Sequence, residues 1–367
     1  MHKVVHFSSV HARYDIRIYH KMCKSLATNG FEVFFCVIDG KGSEVKEGVN
    51  IVDAGSPIRN RFLRILLSSY KVYKKALSLD GDVYHFHDPE LLPYGMLLKW
   101  RGKKVVFDSH EDIEYDIKQK IYLNKYLRLF LAKVYKFIEV HTANKFTALV
   151  GATPHISSRL SLYHPYVVNI NNYPILEETT GNGSLSQERI IAYTGVIASF
   201  RGIREVVKAL ESVPNVTMYM AGIFAEENVK EEVMKYEGWK KVKYLGQINR
   251  DEIIALYEKA SVGVVTFHPL PNHIDSQPNK LFEYLGAGLA VVGSNFPLWR
   301  EIIEENHCGV CVDPLDSASI AAAFNKLLDN MSETKTMGAN GNNLIRNKFN
   351  WSIEEQKLIN LYNGLVK

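Results

Sequence analysis

Lys280 and Glu283 stand three positions apart in the run PLPNHIDSQPNKLFEYLGAG at 269–288, and Asp275 precedes Glu283 by eight. Three-residue spacing places an ammonium and a carboxylate on one face of a helix. Ser276 is a candidate N-cap, and Pro278 suits the first helical turn, where a missing N–H costs nothing. A helix N-terminus offers unsatisfied N–H groups and the positive end of the helix dipole, a setting that holds phosphate. With phosphate there, one acid reaches hydroxyls at one end of a diphosphate ligand and the other acid reaches those at the opposite end. The plain alternative is a capped surface helix with an exposed Lys/Glu pair, worth only about 0.3–0.5 kcal/mol.

Other residues invite chemistry with less support. His85 and His87 share a strand face, which suits a core or a hinge, and neither is expected in catalysis; His110 follows a strand-like run. Cys308 and Cys311 have CxxC spacing with His307 alongside, but there is no second ligand pair. In a strand, positions three apart point to opposite faces, so two buried strand thiols are expected rather than a metal or redox site. Asp80-Gly-Asp82 mimics a divalent-metal motif, yet it precedes a strand instead of following one and reads as a turn.

These residues need elements to hold them. Short apolar runs alternate with amphipathic segments, the pattern of parallel strands joined by crossover helices. Strands are expected at 4–7, 32–37, 82–85, 104–108 and 148–151, then at 189–194, 216–221, 243–245, 262–266, 290–293 and 309–312. A helix is expected at 16–29, with others at 203–213, 250–259, 278–287 and 318–328. This is an α/β fold of two doubly wound, Rossmann-like domains, 1–178 and 188–350, separated by the polar, Gly/Ser/Thr-rich stretch 177–187. A final helix at 351–367 follows, which the periodicity leaves free to complete either domain. Ligands of such sheets bind beyond the carboxyl ends of the strands, so the loops there are where chemistry is sought.

With 367 residues, 46% hydrophobic and 23% charged, the chain is an ordinary globular protein of two domains, neither collagen-like nor disordered. Residues 1–180 hold 25 Lys and Arg against 18 Asp and Glu, a balance of +7, and the remainder holds 19 against 22, a balance of −3. Four cysteines make no disulfide framework, so a reducing cytoplasm is expected, and no apolar run suggests a signal peptide or a membrane span. The absence of G-x-G-x-x-G after the first strand and of G-x-x-x-x-G-K-[ST] removes the usual support for nicotinamide dehydrogenases and P-loop kinases.

The segment DSQPNKLFEYLGAGLAVVGS resembles the E-x7-E segment of retaining glycosyltransferases of family 4, which have the GT-B fold of two facing Rossmann-like domains. Asp275 stands for the first Glu. The resemblance implies that Asp275 meets donor-sugar hydroxyls and Glu283 the nucleotide ribose, with Leu281 in the same donor-binding segment. Tyr193-Thr-Gly195 through Arg201-Gly-Ile203 is similar to the family's phosphate-binding turn. Arg201 fills the second basic position and Val196 stands where the first is expected, so Lys280 is the substitute cation. Phe107-Asp-Ser-His110 resembles the family's histidine-bearing segment and implies His110 beside the donor sugar. The first loop resembles a subset of bacterial polysaccharide transferases with a VHARYDIRIYHK-like turn, which puts Arg13, Asp15 and Arg17 at the cleft.

The resemblance implies a metal-independent, retaining transfer with no cofactor. A sugar moves from a nucleotide-diphosphate donor, UDP favoured, to a glycan or lipid-linked acceptor of a surface polysaccharide. Two other classes stay open: a nucleotide-sugar epimerase of GT-B fold, and a non-catalytic sugar-nucleotide-binding subunit. Segments 59–78, with six basic residues and no acid, and 118–145, with seven basic residues against Glu139, suit contact with an anionic membrane surface on its inner, cytoplasmic face. An ordinary solvated helix face competes with that reading. Nucleic acid is not expected, because the acidic second half repels a polyanion.

Overall fold

The computed structural model describes residues 1–58, 60, 63–119, 124–176 and 189–367. It divides into two compact units, one made of residues 1–172 together with 351–367, the other of residues 173–350. The expected linker at 177–187 lies outside the described residues.

The first unit carries an eight-stranded sheet among the described residues. Its strands are β1 (Lys3–Phe7), β2 (Glu32–Val37), β3 (Glu44–Lys46), β4 (Val49–Asp53), β5 (Val83–Phe86), β6 (Lys104–Ser109), β7 (Ala148–Gly151) and β8 (Val167–Asn169). They lie in the order β3-β4-β2-β1-β5-β6-β7-β8, parallel except for β3 on the edge. Strand order reverses beside β1, the switch point where doubly wound sheets bind ligands. The register there sets His6 beside His85 and His85 beside Val106, so His6, His85 and, two positions past Val106, Asp108 share one face across three strands.

The helix expected at 16–29 begins as a wider π-helical turn, Ile16–Cys23, and only Lys24–Thr28 is α-helical. Asp15 starts it, its side chain accepting from the backbone N–H groups of Arg17 and Ile18 at 2.9 Å each. Its carbonyl also accepts from both Tyr19 and His20, which is the wide turn itself. The last helix, Trp351–Val366, packs in this first unit, burying Trp351, Leu358, Leu361, Tyr362 and Leu365. Trp351 donates to Ser25 Oγ at 2.9 Å, and buried Glu354 accepts from the Asn171 N–H at 2.8 Å.

The second unit carries a six-stranded, all-parallel sheet among the described residues: β9 (Ile190–Thr194), β10 (Thr217–Ala221), β11 (Val242–Gly246), β12 (Val262–Val265), β13 (Ala290–Ser294) and β14 (Gly309–Val312), in the order β11-β10-β9-β12-β13-β14. Apolar clusters cover both of its faces, as near-continuous apolar strands require. Its switch point lies between β9 and β12, and the segments of interest follow those two strands. Helix Asn279–Gly286 packs close to β12 because Gly263 has no side chain; a Cβ there would come within 2.4 Å of the Tyr284 ring.

Cys308 is buried and Cys311 half-buried; Cys308 Sγ donates to the carbonyls of Ile302 and Ile303. In the turn before β5, Asp80 pairs with Lys103 at 2.5 Å and Asp82 accepts the Lys3 N–H at 2.8 Å. No helix among the described residues is long and apolar enough to cross a membrane.

Candidate functional site

In the second unit the chain leaves β9 through Gly195, whose φ of +119° is a conformation that only glycine adopts readily. A Cβ on Gly195 would lie 3.4 Å from Arg201 Nη1 and 3.8 Å from Lys280 Cε, so both cations converge on this turn. Gly222 presses against it from β10: a Cβ there would sit 1.7 Å from the Gly195 carbonyl oxygen. Arg201 lies over the Phe267 ring at 5.1 Å and touches the Val196 carbonyl at 3.4 Å. Val196 therefore contributes its backbone oxygen where the family pattern led us to look for a first basic side chain.

Helix Asn279–Gly286 supplies the remaining groups. Ser276, the expected cap, instead turns its hydroxyl back to the His273 carbonyl at 2.7 Å, and Pro278 occupies the cap position with no side-chain bond. Packing holds this helix in place. Leu281, Phe282, Tyr284 and Leu285 are all buried, each worth about 1.5–3 kcal/mol, against about 1 kcal/mol for a side-chain cap. Leu281 accordingly points into the core, and its N–H bonds the Pro278 carbonyl at 3.0 Å. Tyr284 OH meets the Thr194 N–H at 2.7 Å, which pins the helix to the end of β9.

Glu283 Oε2 collects three donors: Lys280 Nζ at 2.8 Å, Arg250 Nη1 at 3.1 Å and Tyr257 OH at 3.2 Å. Burial alone would raise its pKa, but the two cations outweigh that and hold the carboxyl below its ordinary value. Arg250, from helix Arg250–Lys259, had no signal in the sequence, since 33 positions separate it from its partner. Asp275 ends the one-turn helix Pro271–Ile274 and is exposed.

The first unit holds a second, quite different cluster. His110, just past β6, places Nε2 3.0 Å from Asp108 Oδ2. Arg17 grips the same carboxylate through both oxygens at 2.9 and 2.8 Å and donates to the Ile170 carbonyl at 2.8 Å. Arg13 is likewise engaged by Asp39 at 2.7 Å and Glu44 at 2.6 Å. Arg13 and Arg17 are both buried, and with Asp15 capping a helix these three residues build the loop rather than present free groups from it.

His11 was not singled out from the sequence. It lies between Asp15, at 3.1 Å, and Asp88, at 3.5 Å, with its ring 5.0 Å from that of His110. The neighbouring carboxylates raise its pKa in spite of burial, and they favour the imidazolium. His85, His87 and Asp108 offer ligand atoms within 4.8 Å of one another. Arg17 already supplies the positive charge at that carboxylate, and His87 Nδ1 faces it at 3.2 Å, so the grouping is a hydrogen-bonded one.

Residues 17–167 match the family model described as Glycosyltransferase Family 4, and residues 177–344 match that described as Glycosyl transferases group 1. The fold is similar to that of sucrose-phosphate synthase from Thermosynechococcus elongatus, at a TM-score of 0.81 and 16% identity, covering 100% of this chain and 99% of the other. Glycosyltransferase family models thus match both halves of the chain, and its fold is that of the GT-B glycosyltransferases. An Anabaena protein of that fold, HepE in complex with UDP-glucose, superposes with a TM-score of 0.72 at 14% identity, covering 99% of each chain. The GT-B chain is also 23% identical to the capsular polysaccharide biosynthesis glycosyltransferase CapM of Staphylococcus aureus, over 280 residues, 68% of this chain and 71% of CapM. Against glycogen synthase of Mycobacterium tuberculosis the identity is 23% over 166 residues, 44% of this chain, and the match spans 39% of that relative's length.

Proposed function

We propose that this GT-B protein transfers a sugar, with retention of configuration, from a nucleoside-diphosphate donor, a UDP-sugar in the favoured reading, to a glycan or lipid-linked acceptor in surface polysaccharide synthesis. The observation that carries the donor half is the convergence of Arg201 and Lys280 on the Gly195 turn, at the switch point of a doubly wound sheet, with Glu283 held as a carboxylate behind them. Two cations beside a turn shaped by glycine suit a diphosphate, and an ionised Glu283 suits ribose hydroxyls.

The acceptor oxygen forms a bond to the anomeric carbon while the bond from that carbon to the diphosphate oxygen breaks. The electron pair leaves with the diphosphate, and a phosphate oxygen takes the acceptor's proton. Arg201 and Lys280 stabilise the charge that grows on the leaving group, without a metal ion, which is where electrostatic catalysis gains most. Asp275 and His110 meet sugar hydroxyls in this reading.

The acceptor half draws support from the first unit's surface. On helix Lys125–Ala143, Tyr126, Phe130 and Phe137 are 81%, 62% and 62% exposed beside the basic residues Lys125, Lys133 and Lys136. Leu63, Leu66, Leu67 and Tyr70 are exposed near Lys71, Lys74 and Lys75; Arg59, Arg61 and Lys120 lie outside the described residues. Exposed apolar rings among lysines suit an anionic lipid surface, where a lipid-linked acceptor resides.

The decisive experiment offers UDP-sugars with and without a membrane lipid extract and follows UDP release and the new glycoside, with chelator present throughout. Acceptor-dependent UDP release with an α-glycoside from an α-donor is expected. Isomerised sugar nucleotide from donor alone would replace this reading with an epimerase, and donor binding without turnover would replace it with a binding subunit.

A further inference from the structure

A carboxylate accepts hydrogen bonds and never donates them, and that asymmetry propagates through the buried histidines of the first unit. His87 Nδ1 lies 3.2 Å from Asp108 Oδ2, so it carries a proton and leaves Nε2 as an acceptor. His6 Nδ1 lies 3.0 Å from that Nε2 and must carry the proton between them. His6 Nε2 then accepts from Tyr362 OH at 3.1 Å, and the Tyr362 oxygen accepts from His85 Nδ1 at 2.7 Å. What is left is a lone pair on His85 Nε2, a buried ring nitrogen without a hydrogen-bond partner. With neutral rings and an ionised Asp108, any other arrangement along this chain sets two lone pairs or two hydrogens against each other, and His87 Nδ1 and His110 Nε2, 3.2 Å apart, both donate to the one carboxylate oxygen. All three rings are completely buried and held below their ordinary pKa, chiefly by that burial, which agrees with neutral imidazoles.

The same carboxylate oxygen faces His110 Nε2 at 3.0 Å. We infer that Asp108 is a positioning residue that holds His110 as its Nε2–H tautomer, leaving the Nδ1 lone pair to accept a hydrogen bond from a substrate hydroxyl. Arg17 fixes the plane of the Asp108 carboxylate by bonding both of its oxygens, and His87, at the head of the chain that runs to Tyr362, donates to the same oxygen as His110. The tautomer follows from the protein alone. The role of Nδ1 toward a sugar rests on the glycosyl-transfer reading.

The test is long-range proton–nitrogen NMR of the full chain labelled with 15N-histidine, which reads the protonated nitrogen of each ring. Expected are Nδ1–H for His6, His85 and His87 and Nε2–H for His110 at neutral pH. Asp108→Asn is the diagnostic variant: it leaves one oxygen where Arg17 Nε, Arg17 Nη2 and the two rings had two, so the NH2 group either turns toward the rings and inverts the His110 tautomer, as the corresponding change in a serine-protease triad does, or turns toward Arg17 and breaks the ion pair that orients the carboxylate. Turnover of the variant should fall by at least about tenfold with donor KM changed much less. His110 as Nδ1–H in the unmodified protein overturns the inference whatever the variant does, as does a folded Asp108→Asn protein with undiminished turnover. Correct tautomers with no UDP-sugar turnover would sink the transfer reading and leave the Asp108 assignment standing.

Discussion

Arg17 and Asp108, 91 positions apart in sequence, form a two-pronged ion pair with both side chains buried, the carboxylate completely so. His110 and His87 both face the same oxygen of that carboxylate. Asp108 stays ionised because burial, which opposes it, is outweighed by the Arg17 charge and by the hydrogen bonds from His110 and His87.

Arg17→Met should therefore act on stability before it acts on binding. It leaves a buried carboxylate without its cation, a loss of about 3–5 kcal/mol, measurable as a lower urea midpoint. Arg13→Met faces Asp39 and Glu44, which are partly exposed, and should lose distinctly less. Equal losses at the two positions would contradict this account of the loop.

Arg201→Ala and Lys280→Ala should each reduce kcat/KM for the donor by about 10²–10³, the effect of losing one charged stabiliser of a growing anion. Lys280→Ala also strips a partner from Glu283, so its donor affinity should fall as well. Titration calorimetry with UDP separates the two effects; a Lys280→Ala protein that binds UDP normally would remove that lysine from the site.

Gly222→Ala places a methyl group 1.7 Å from the Gly195 carbonyl oxygen at a φ of +145°. The Gly195 turn must shift, and Arg201 and Lys280 lose their common focus. A stability loss of about 1–3 kcal/mol accompanied by weaker UDP binding is expected from thermal shift with and without nucleotide. Unchanged nucleotide stabilisation would show that the turn plays no part.

Acid should unfold the first unit early. His87 has its pKa lowered from 6.5 to about 4 by burial. Between those values the unfolded chain binds a proton that the folded chain refuses, so stability falls as pH drops from about 6.5 to 4, by up to about 1.4 kcal/mol per pH unit for this ring. His6 and His85 are shifted the same way and add to the slope. Asp15 and Asp108, both depressed, contribute stability that is lost only at still lower pH. Urea midpoints between pH 7.5 and 4.5 check the slope, and His85→Phe should flatten it; a midpoint independent of pH would refute neutral buried rings.

Vesicles containing anionic lipid should retain the protein at low salt and release it at high salt. Phe130→Glu with Phe137→Glu should abolish retention without changing UDP binding, because Arg201, Lys280 and Glu283, the groups proposed to hold the nucleotide diphosphate, all belong to the second unit. Retention by the double variant would locate the lipid contact elsewhere or reduce it to bulk charge.

The sequence by itself settled what depends on period and composition. Alternation of apolar runs with amphipathic segments dictated two parallel-sheet units, and the 269–288 run marked its own loop, its short helix and the face shared by Lys280 and Glu283, because three-residue spacing is a property of any helix. What only the tertiary structure decided are relations between strands and between distant helices. Arg250 reaches Glu283, Gly222 braces Gly195, and Arg17 turns inward to Asp108, which converts a candidate surface contact into a core ion pair. His6 and His85 become neighbours only through the β1–β5 register, and Tyr362 joins them because the last helix returns to the first unit. Periodicity shows which face of an element is buried, whereas the partner a buried polar group finds depends on sheet order and chain return, for which a linear pattern carries no term.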